Sequence, residues 1–285
     1  MSHYNKIVVA CDGSDAGTQA LNQALKLVQD YSSSLVIVTV TPPPQADFHE
    51  SVTTDLVALV KKQGETFLKT AGEIAKQENI EPLLCLEEGE IHEQIIAVAE
   101  RENSDLIVMG RRGMTGLERI LMGSETNNII GHFNGKVLVI PKEGEIKWET
   151  IVIATDGSAF SDAAIDEAIK LAKDHGSVLK VLSVSDVSEE YEAQATGLTG
   201  RMIDKTSLYL ETLKDEIEKE GVQAEIFVKS GQPYEEIIDF AEENKAGLIV
   251  MGSHGRTGLK RLFMGSVTSR VIGHTKCPVM VVKVG

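Results

Sequence analysis

Two hydrophobic rhythms alternate along this chain. Short unbroken apolar runs, rich in β-branched residues, read as strands buried on both faces. In the first half these are Ile7–Ala10, Leu35–Val40, Leu83–Leu86, Leu106–Met109 and Val137–Ile140. Between them, apolar residues recur at helical spacing, so that Ala20, Leu21, Ala24, Leu25 and Val28 share one face of a predicted helix. A long helical stretch is predicted from about Ser51 to Gln77, another at Ile91–Glu100, and a last one starting at Ser124. Pro42-Pro43-Pro44 ends the second strand and opens a loop. In the second half, strands are predicted at Thr150–Thr155, Val178–Val184, Gln223–Lys229, Leu248–Met251 and Val279–Lys283. The segment Glu189–Gly200, with Gly197 and Gly200, is expected to be mobile and to lie over the ligand-facing edge of that half.

Strands that alternate with helices imply right-handed crossovers and a parallel, doubly wound sheet, an α/β fold. The halves also repeat one another. Ile7-Val8-Val9-Ala10-Cys11-Asp12-Gly13-Ser14 aligns with Ile151-Val152-Ile153-Ala154-Thr155-Asp156-Gly157-Ser158. Gly89-Glu90-Ile91-His92 aligns with Gly231-Gln232-Pro233-Tyr234. From Met109 to His132, 14 of 24 positions are identical to Met251–His274, which makes duplication a better explanation than chance. The period is far too long for a solenoid. It predicts two copies of one domain, residues 1–142 and 147–285, joined near Pro141–Trp148. The length of 285 residues fits two such domains, each long enough to bury a core.

A formal net charge of −15 changes the picture of partners. An acidic surface is repelled by nucleic acid and by anionic membrane, so neither is expected as a partner. The one local basic group, Arg111-Arg112 with Arg119 further on, is either a solvated loop or a phosphate or partner contact. Cys11, Cys85 and Cys277 are odd in number, widely spaced and outside any CxxC, as in a reducing compartment, and read as small buried residues. No signal-like segment opens the chain and no apolar run approaches about 18 residues, so a cytoplasmic location is expected.

The candidate chemistry lies in the glycines. Met109-Gly110-Arg111-Arg112-Gly113 is followed nine residues later by Gly123-Ser124-Glu125-Thr126. Met251-Gly252-Ser253-His254-Gly255 is followed nine residues later by Gly265-Ser266-Val267-Thr268. Glycines let backbone N–H groups approach an anion closely, and a helix start adds free donors and a positive dipole. In a doubly wound sheet this loop and the Asp-Gly-Ser turn both fall at the carboxyl ends of the strands, where ligands bind. Each feature also has a purely structural reading. Asp12 and Asp156 either contact a ligand or serve a helix cap. Gly110 and Gly252 are also what a tight strand-to-loop turn requires. His254 and Arg112, at equivalent positions, either reach a phosphate or are exposed loop residues. There is no GxxxxGK[ST], no GxGxxG after the first strand, no HExxH and no GxSxG, and nothing designates a general base.

The spacing Gly-x2-Gly-x9-Gly-Ser, the first strand ending in Asp-Gly-Ser, and Cys277-Pro278 before the last strand resemble the universal stress protein family. The resemblance spans Lys6–Ile140 and Thr150–Val284, as in a tandem member. It implies two five-stranded sheets of order 3-2-1-4-5, and an adenine nucleotide ligand, ATP or AMP. It implies that Asp12 and Asp156 contact ribose, and that the backbone at Ala10, Val40, Ala154 and Val184 contacts adenine. The phosphates would fall to Gly110, Gly113, Gly123, Ser124 and Thr126, and to Gly252, Gly255, Gly265, Ser266 and Thr268. The candidate set also takes in the neighbouring Cys11, Met109 and Arg112 of the first half, and Thr155, Met251, His254 and Val267 of the second. Mg²⁺ would be held through bound phosphates. Pairing of last strands is a further implication, giving an internal pseudo-dimer of the two domains and a possible homodimer of chains.

The two copies differ where it matters. Glu125 stands where the second copy has Val267, and Gly135-Lys136 replaces Cys277-Pro278. A carboxylate beside a phosphate-binding helix start would repel a triphosphate, so the second site is expected to be the stronger. The function expected is that of a stress-response regulator or partner-binding protein, its conformation or choice of protein partner biased by nucleotide. The alternatives are a nucleotide-independent scaffold and a slow ATPase.

Overall fold

The computed structural model describes residues 3–42, 50–111, 123–185, 196–255 and 264–283. The chain divides into two compact units, Met1–Gly144 and Glu145–Gly285. The first unit runs β1 (Lys6–Ala10), α1 (Asp15–Tyr31), β2 (Ser34–Thr41), α2 (Glu50–Gln77), β3 (Leu83–Glu88), α3 (Ile91–Arg101), β4 (Leu106–Gly110), α4 (Ser124–His132) and β5 (Lys136–Ile140). Its strands are all parallel, in the order β3-β2-β1-β4-β5. The central strand is buried on both faces, with Ile7, Val8 and Val9 wholly inside. Burial of each such side chain is worth about 1.5–3 kcal/mol, which is why these runs carry no polar alternation. At the edge, β3 is only partly covered, and Leu83 and Leu84 are exposed.

The second unit repeats the plan with β6 (Thr150–Ala154), α5 (Ala159–His175), β7 (Val178–Ser185), α6 (Thr196–Lys219), β8 (Ala224–Ser230), α7 (Pro233–Glu243), β9 (Leu248–Gly252), α8 (Ser266–His274) and β10 (Val279–Val282). Its parallel order is β8-β7-β6-β9-β10, the same 3-2-1-4-5 arrangement. Strand order reverses between β1 and β4, and between β6 and β9, so each unit has its crevice at the carboxyl ends of those pairs. Thr196–Gly200, the last part of the segment expected to be mobile, is helical and forms the start of α6. The rest of that segment lies outside the described residues. Among the described residues no helix is long and apolar enough to cross a membrane.

Candidate functional site

The site is built first from the turn after the central strand. In the first unit Asp12 Oδ1 accepts from the Ser14 backbone N–H at 3.0 Å and from the Ser14 hydroxyl at 2.6 Å. Ser14 Oγ in turn accepts from Gly17 N at 3.0 Å, so Ser14 is the cap of α1 and Asp12 orients it. Gly13 makes the turn at φ +80°, a left-handed conformation that glycine adopts without cost. A side chain there would meet the ring of Phe67 at 2.6 Å.

The second unit uses the same turn differently. Asp156 Oδ1 accepts from Ser158 N at 3.0 Å. Ser158 occupies the cap position of α5, yet its side chain makes no capping bond. Ser161 stands where the first copy has Gly17. Its hydroxyl donates to the Ser158 carbonyl at 2.7 Å and accepts from Thr155 Oγ1 at 2.9 Å. Ser158 Oγ is thereby left buried, with no partner among the described residues. Tyr209 of α6 occupies the position of Phe67. Burial pushes its phenol up, Asp162 and Asp156 add to that, and a hydrogen bond with Thr155 works against it. Neither aromatic figured in the sequence reading. The register of the repeat was the signal, since both stand at matching points of the second long helix in each copy.

The glycine loop supplies the other wall. A methyl on Gly110 would fall 2.7 Å from the Ala16 carbonyl carbon, and one on Gly252 would fall 2.5 Å from the Phe160 carbonyl oxygen. Both positions are therefore glycine because the strand end lies against the first turn of the helix after the central strand. Beyond them, Gly123 N donates to Arg111 O at 3.4 Å, and Gly265 N donates to Ser253 O at 2.8 Å. Gly123 and Gly265 then cap α4 and α8 without any side-chain hydrogen bond, which leaves the first-turn N–H groups available to an external acceptor. Thr126 and Thr268 are buried, and their hydroxyls donate to the carbonyls of Arg111 (3.3 Å) and Gly252 (3.0 Å). Those side chains lock the helix start to the strand, and a ligand is left their backbone.

Turn and loop meet in the second unit. The absent Cβ of Gly255 would lie 2.7 Å from Asp156 Oδ2. His254, between them and the start of α8, is only 8% exposed, so it is not an exposed loop residue. Ser266 and Ser124 are exposed at their helix starts, and Val267 is half-buried beside Ser266. Ala10 and Ala154, at the ends of β1 and β6, and Val40 and Val184, near the ends of β2 and β7, are half-buried at the same edge. Met109, Met251, Cys11 and Thr155 are buried, so they bound the crevice from the core side. Arg112 and Gly113 lie outside the described residues.

Glu125 does something the sequence did not foretell. Its carboxylate reaches α3, where Oε2 accepts from the His92 backbone N–H at 3.0 Å and lies 3.2 Å from His92 Nδ1. It acts as a cap for α3, whose own cap residue Glu90 makes no side-chain bond. One oxygen of the charge is thus held by that helix start, while the other, Oε1, accepts from the Ser124 hydroxyl at 3.4 Å and stays beside the start of α4. Among the described residues, no group of three or more His, Cys, Asp or Glu side chains is arranged to hold a metal ion.

Comparison with known proteins agrees with this repeated architecture. The model of the universal stress protein family matches residues 3–141 and again residues 147–283. A universal stress protein of Methanocaldococcus jannaschii is 39% identical over 148 residues, covering 50% of this chain and 87% of its own. One from Mycobacterium tuberculosis is 26% identical over 310 residues and covers 98% of this chain and 95% of its own, both halves included. Among solved structures, a universal stress protein from Archaeoglobus fulgidus shares the fold with a TM-score of 0.77 at 21% identity, over 99% of this chain and 97% of that one. With the family pattern met twice in succession and the same strand order in each unit, the chain belongs to the universal stress protein family, as a tandem member.

Proposed function

We propose that this protein binds adenine nucleotide, ATP or AMP, and that the bound nucleotide biases its conformation or its choice of protein partner. The observation that carries the reading is the meeting of Asp156 with Gly255, because it brings a carboxylate and an anion-binding loop to one point of the strand edge. A carboxylate accepts from the paired hydroxyls of a ribose. The uncapped start of α8 and the loop backbone then receive the phosphates, and the backbone at Ala154 and Val184 borders the base. Mg²⁺ comes with the phosphates. The second site is the stronger, since its helix start carries Val267 in place of a carboxylate. In the first site Asp12, Gly110 and Gly123 take the corresponding parts, and the hold of His92 on Glu125 limits the repulsion without abolishing it. The net charge of −15 favours protein and small-molecule partners over nucleic acid, and a reducing cytoplasm suits the three free thiols.

The test is to denature freshly purified protein, then identify and count released small molecules by mass spectrometry. About one adenine nucleotide per chain is expected, from a one-strong-site reading. Asp156→Ala should weaken binding at least tenfold, and Asp12→Ala should leave most of it. No released nucleotide, with no heat on titrating ATP or AMP, would move the function to a nucleotide-independent scaffold.

A further inference from the structure

Opposite the nucleotide crevice, at the amino ends of β1, β2 and β3, the first unit holds a cavity of about 550 Å³. That is room for a small molecule. Helices α1 and α2 both end at its rim, beside Ser32 and Glu78, and a helix end carries unsatisfied carbonyls and a partial negative charge. Three carboxylates, Glu78, Glu81 and Glu102, line it against one ammonium, Lys6, which Glu102 already holds at 3.0 Å. Glu81 lies 3.1 Å from Lys76 in an exposed pair. Glu78 has a neutral partner, the Gln29 amide, which donates to its Oε2 at 3.2 Å. The apolar part of the lining is Val28, Leu35, Val36, Ile80 and Leu83. Leu83 is 47% exposed, an uncovered apolar side chain at the edge of the sheet.

The second copy shows what this place holds when the chain fills it itself. There Lys173 stands for Gln29 and Lys180 for Val36, while Glu220 stands for Glu78 and Glu225 for Leu83. The strand registers agree, since Val36 pairs with Leu83 and Lys180 with Glu225. Lys173 Nζ lies 2.7 Å from Glu220, and Lys180 Nζ lies 2.9 Å from Glu225. One ammonium thus sits where α5 and α6 end, and a second on the neighbouring strand edge. In the first copy both lysines are gone and the helix-end carboxylate has stayed. Two further carboxylates, Glu81 and Glu102, replace Gln223 and Asn244. We infer that this cavity binds an aliphatic polyamine, with an ammonium taken by Glu78 and the helix ends, and methylenes laid on Val36 and Leu83. A long amine buries its stem while its charged ends stay polar. A bare metal ion would leave the apolar lining unused, and an anion is repelled by the carboxylates and the helix ends alike. The inference is independent of the nucleotide reading, because the two sites lie at opposite ends of the strands.

The experiment is calorimetry of the full chain with spermidine at about 0.15 M salt, where attraction between exposed charges is largely screened. About one spermidine per chain should bind, and butylamine, which has a single ammonium, should bind about tenfold more weakly. Mg²⁺ at the same concentration should not displace the spermidine. Gln29→Lys installs the ammonium that the second copy carries, so it should weaken spermidine binding about tenfold or more while the melting temperature stays at or above that of the wild type. Glu78→Gln should weaken binding by a similar factor. Neither variant should alter the response to ATP or AMP, whatever that response is in the wild type. Should Glu78→Gln fail to fold, Gln29→Lys decides, since the second copy folds with lysine at that position. No heat with spermidine, or a heat that Gln29→Lys leaves unchanged, would overturn the inference. Displacement by Mg²⁺ would overturn it too, because it would show only the diffuse attraction of a chain with a net charge of −15.

Discussion

At the scale of single residues, two glycines of one loop are glycine for different reasons, and one substitution separates them. A methyl at Gly252 collides with the Phe160 carbonyl, which is helix backbone and cannot yield. Gly252→Ala should therefore cost about 1–3 kcal/mol, read as a melting temperature lowered by several degrees. Among the described residues, a methyl at Gly255 meets the carboxylate of Asp156 alone, the mobile end of a side chain. Gly255→Ala should leave the melting temperature nearly unchanged, while displacing the carboxylate and weakening adenine nucleotide binding about tenfold by calorimetry. Thermal and binding measurements on the two variants should thus give opposite patterns, and matching losses in both would refute the assignment. These glycines were legible in the sequence because the repeat printed them twice. The contact between Gly255 and Asp156 was not, since it joins two loops far apart in the chain and depends on where β6 and β9 end.

At the scale of elements, the two copies spend the same serine differently. Ser14 caps α1 through Gly17 N, whereas Ser158 makes no such bond because Ser161 has taken over the turn. Ser14→Ala should cost about 1 kcal/mol of stability, and Ser158→Ala should cost little or nothing, measured by denaturant unfolding of each variant. Equal losses would show that Ser158 caps its helix after all. The strands and the Asp-Gly-Ser turns could be read directly, because a strand buried on both faces leaves an unbroken apolar run and a turn needs glycine at positive φ. The partner of a helix start could not. Glu125 bonds to His92 on another helix, and no local pattern records a side chain that reaches across two crossovers. For the same reason Phe67 and Tyr209, which close over the turns, look in sequence like ordinary members of an amphipathic helix.

At the scale of the whole molecule, pH acts through the thiols, and most through Cys277, a half-buried residue. Cys277 donates its S–H to the Ala246 carbonyl at 3.2 Å, and burial pushes its ionisation from an ordinary 9.0 up to about 12. The folded protein therefore holds this proton more tightly than the unfolded chain. Stability from that group is complete below about pH 9, and is lost as the pH rises from there to about 12. Cys277→Ala should flatten the alkaline fall of the denaturant midpoint across that interval. An unaltered alkaline slope would contradict the burial of Cys277. The sequence had shown only an isolated cysteine before a proline, and its depth depended on the strands packed around it.

The place of β1 between β2 and β4 also has a meaning for how the chain is made. Within the first unit the strand synthesised first is the middle of its sheet, and its second neighbour does not exist until Leu106–Gly110 has been synthesised. Until then a strand with the apolar run Ile7-Val8-Val9 waits with one side open, a state in which chaperones and aggregation compete for it. Duplication keeps that interval short. Met1–Gly144 is compact by itself, so the first half can close while the second is still being translated, and the nascent chain exposes one unfinished sheet at a time.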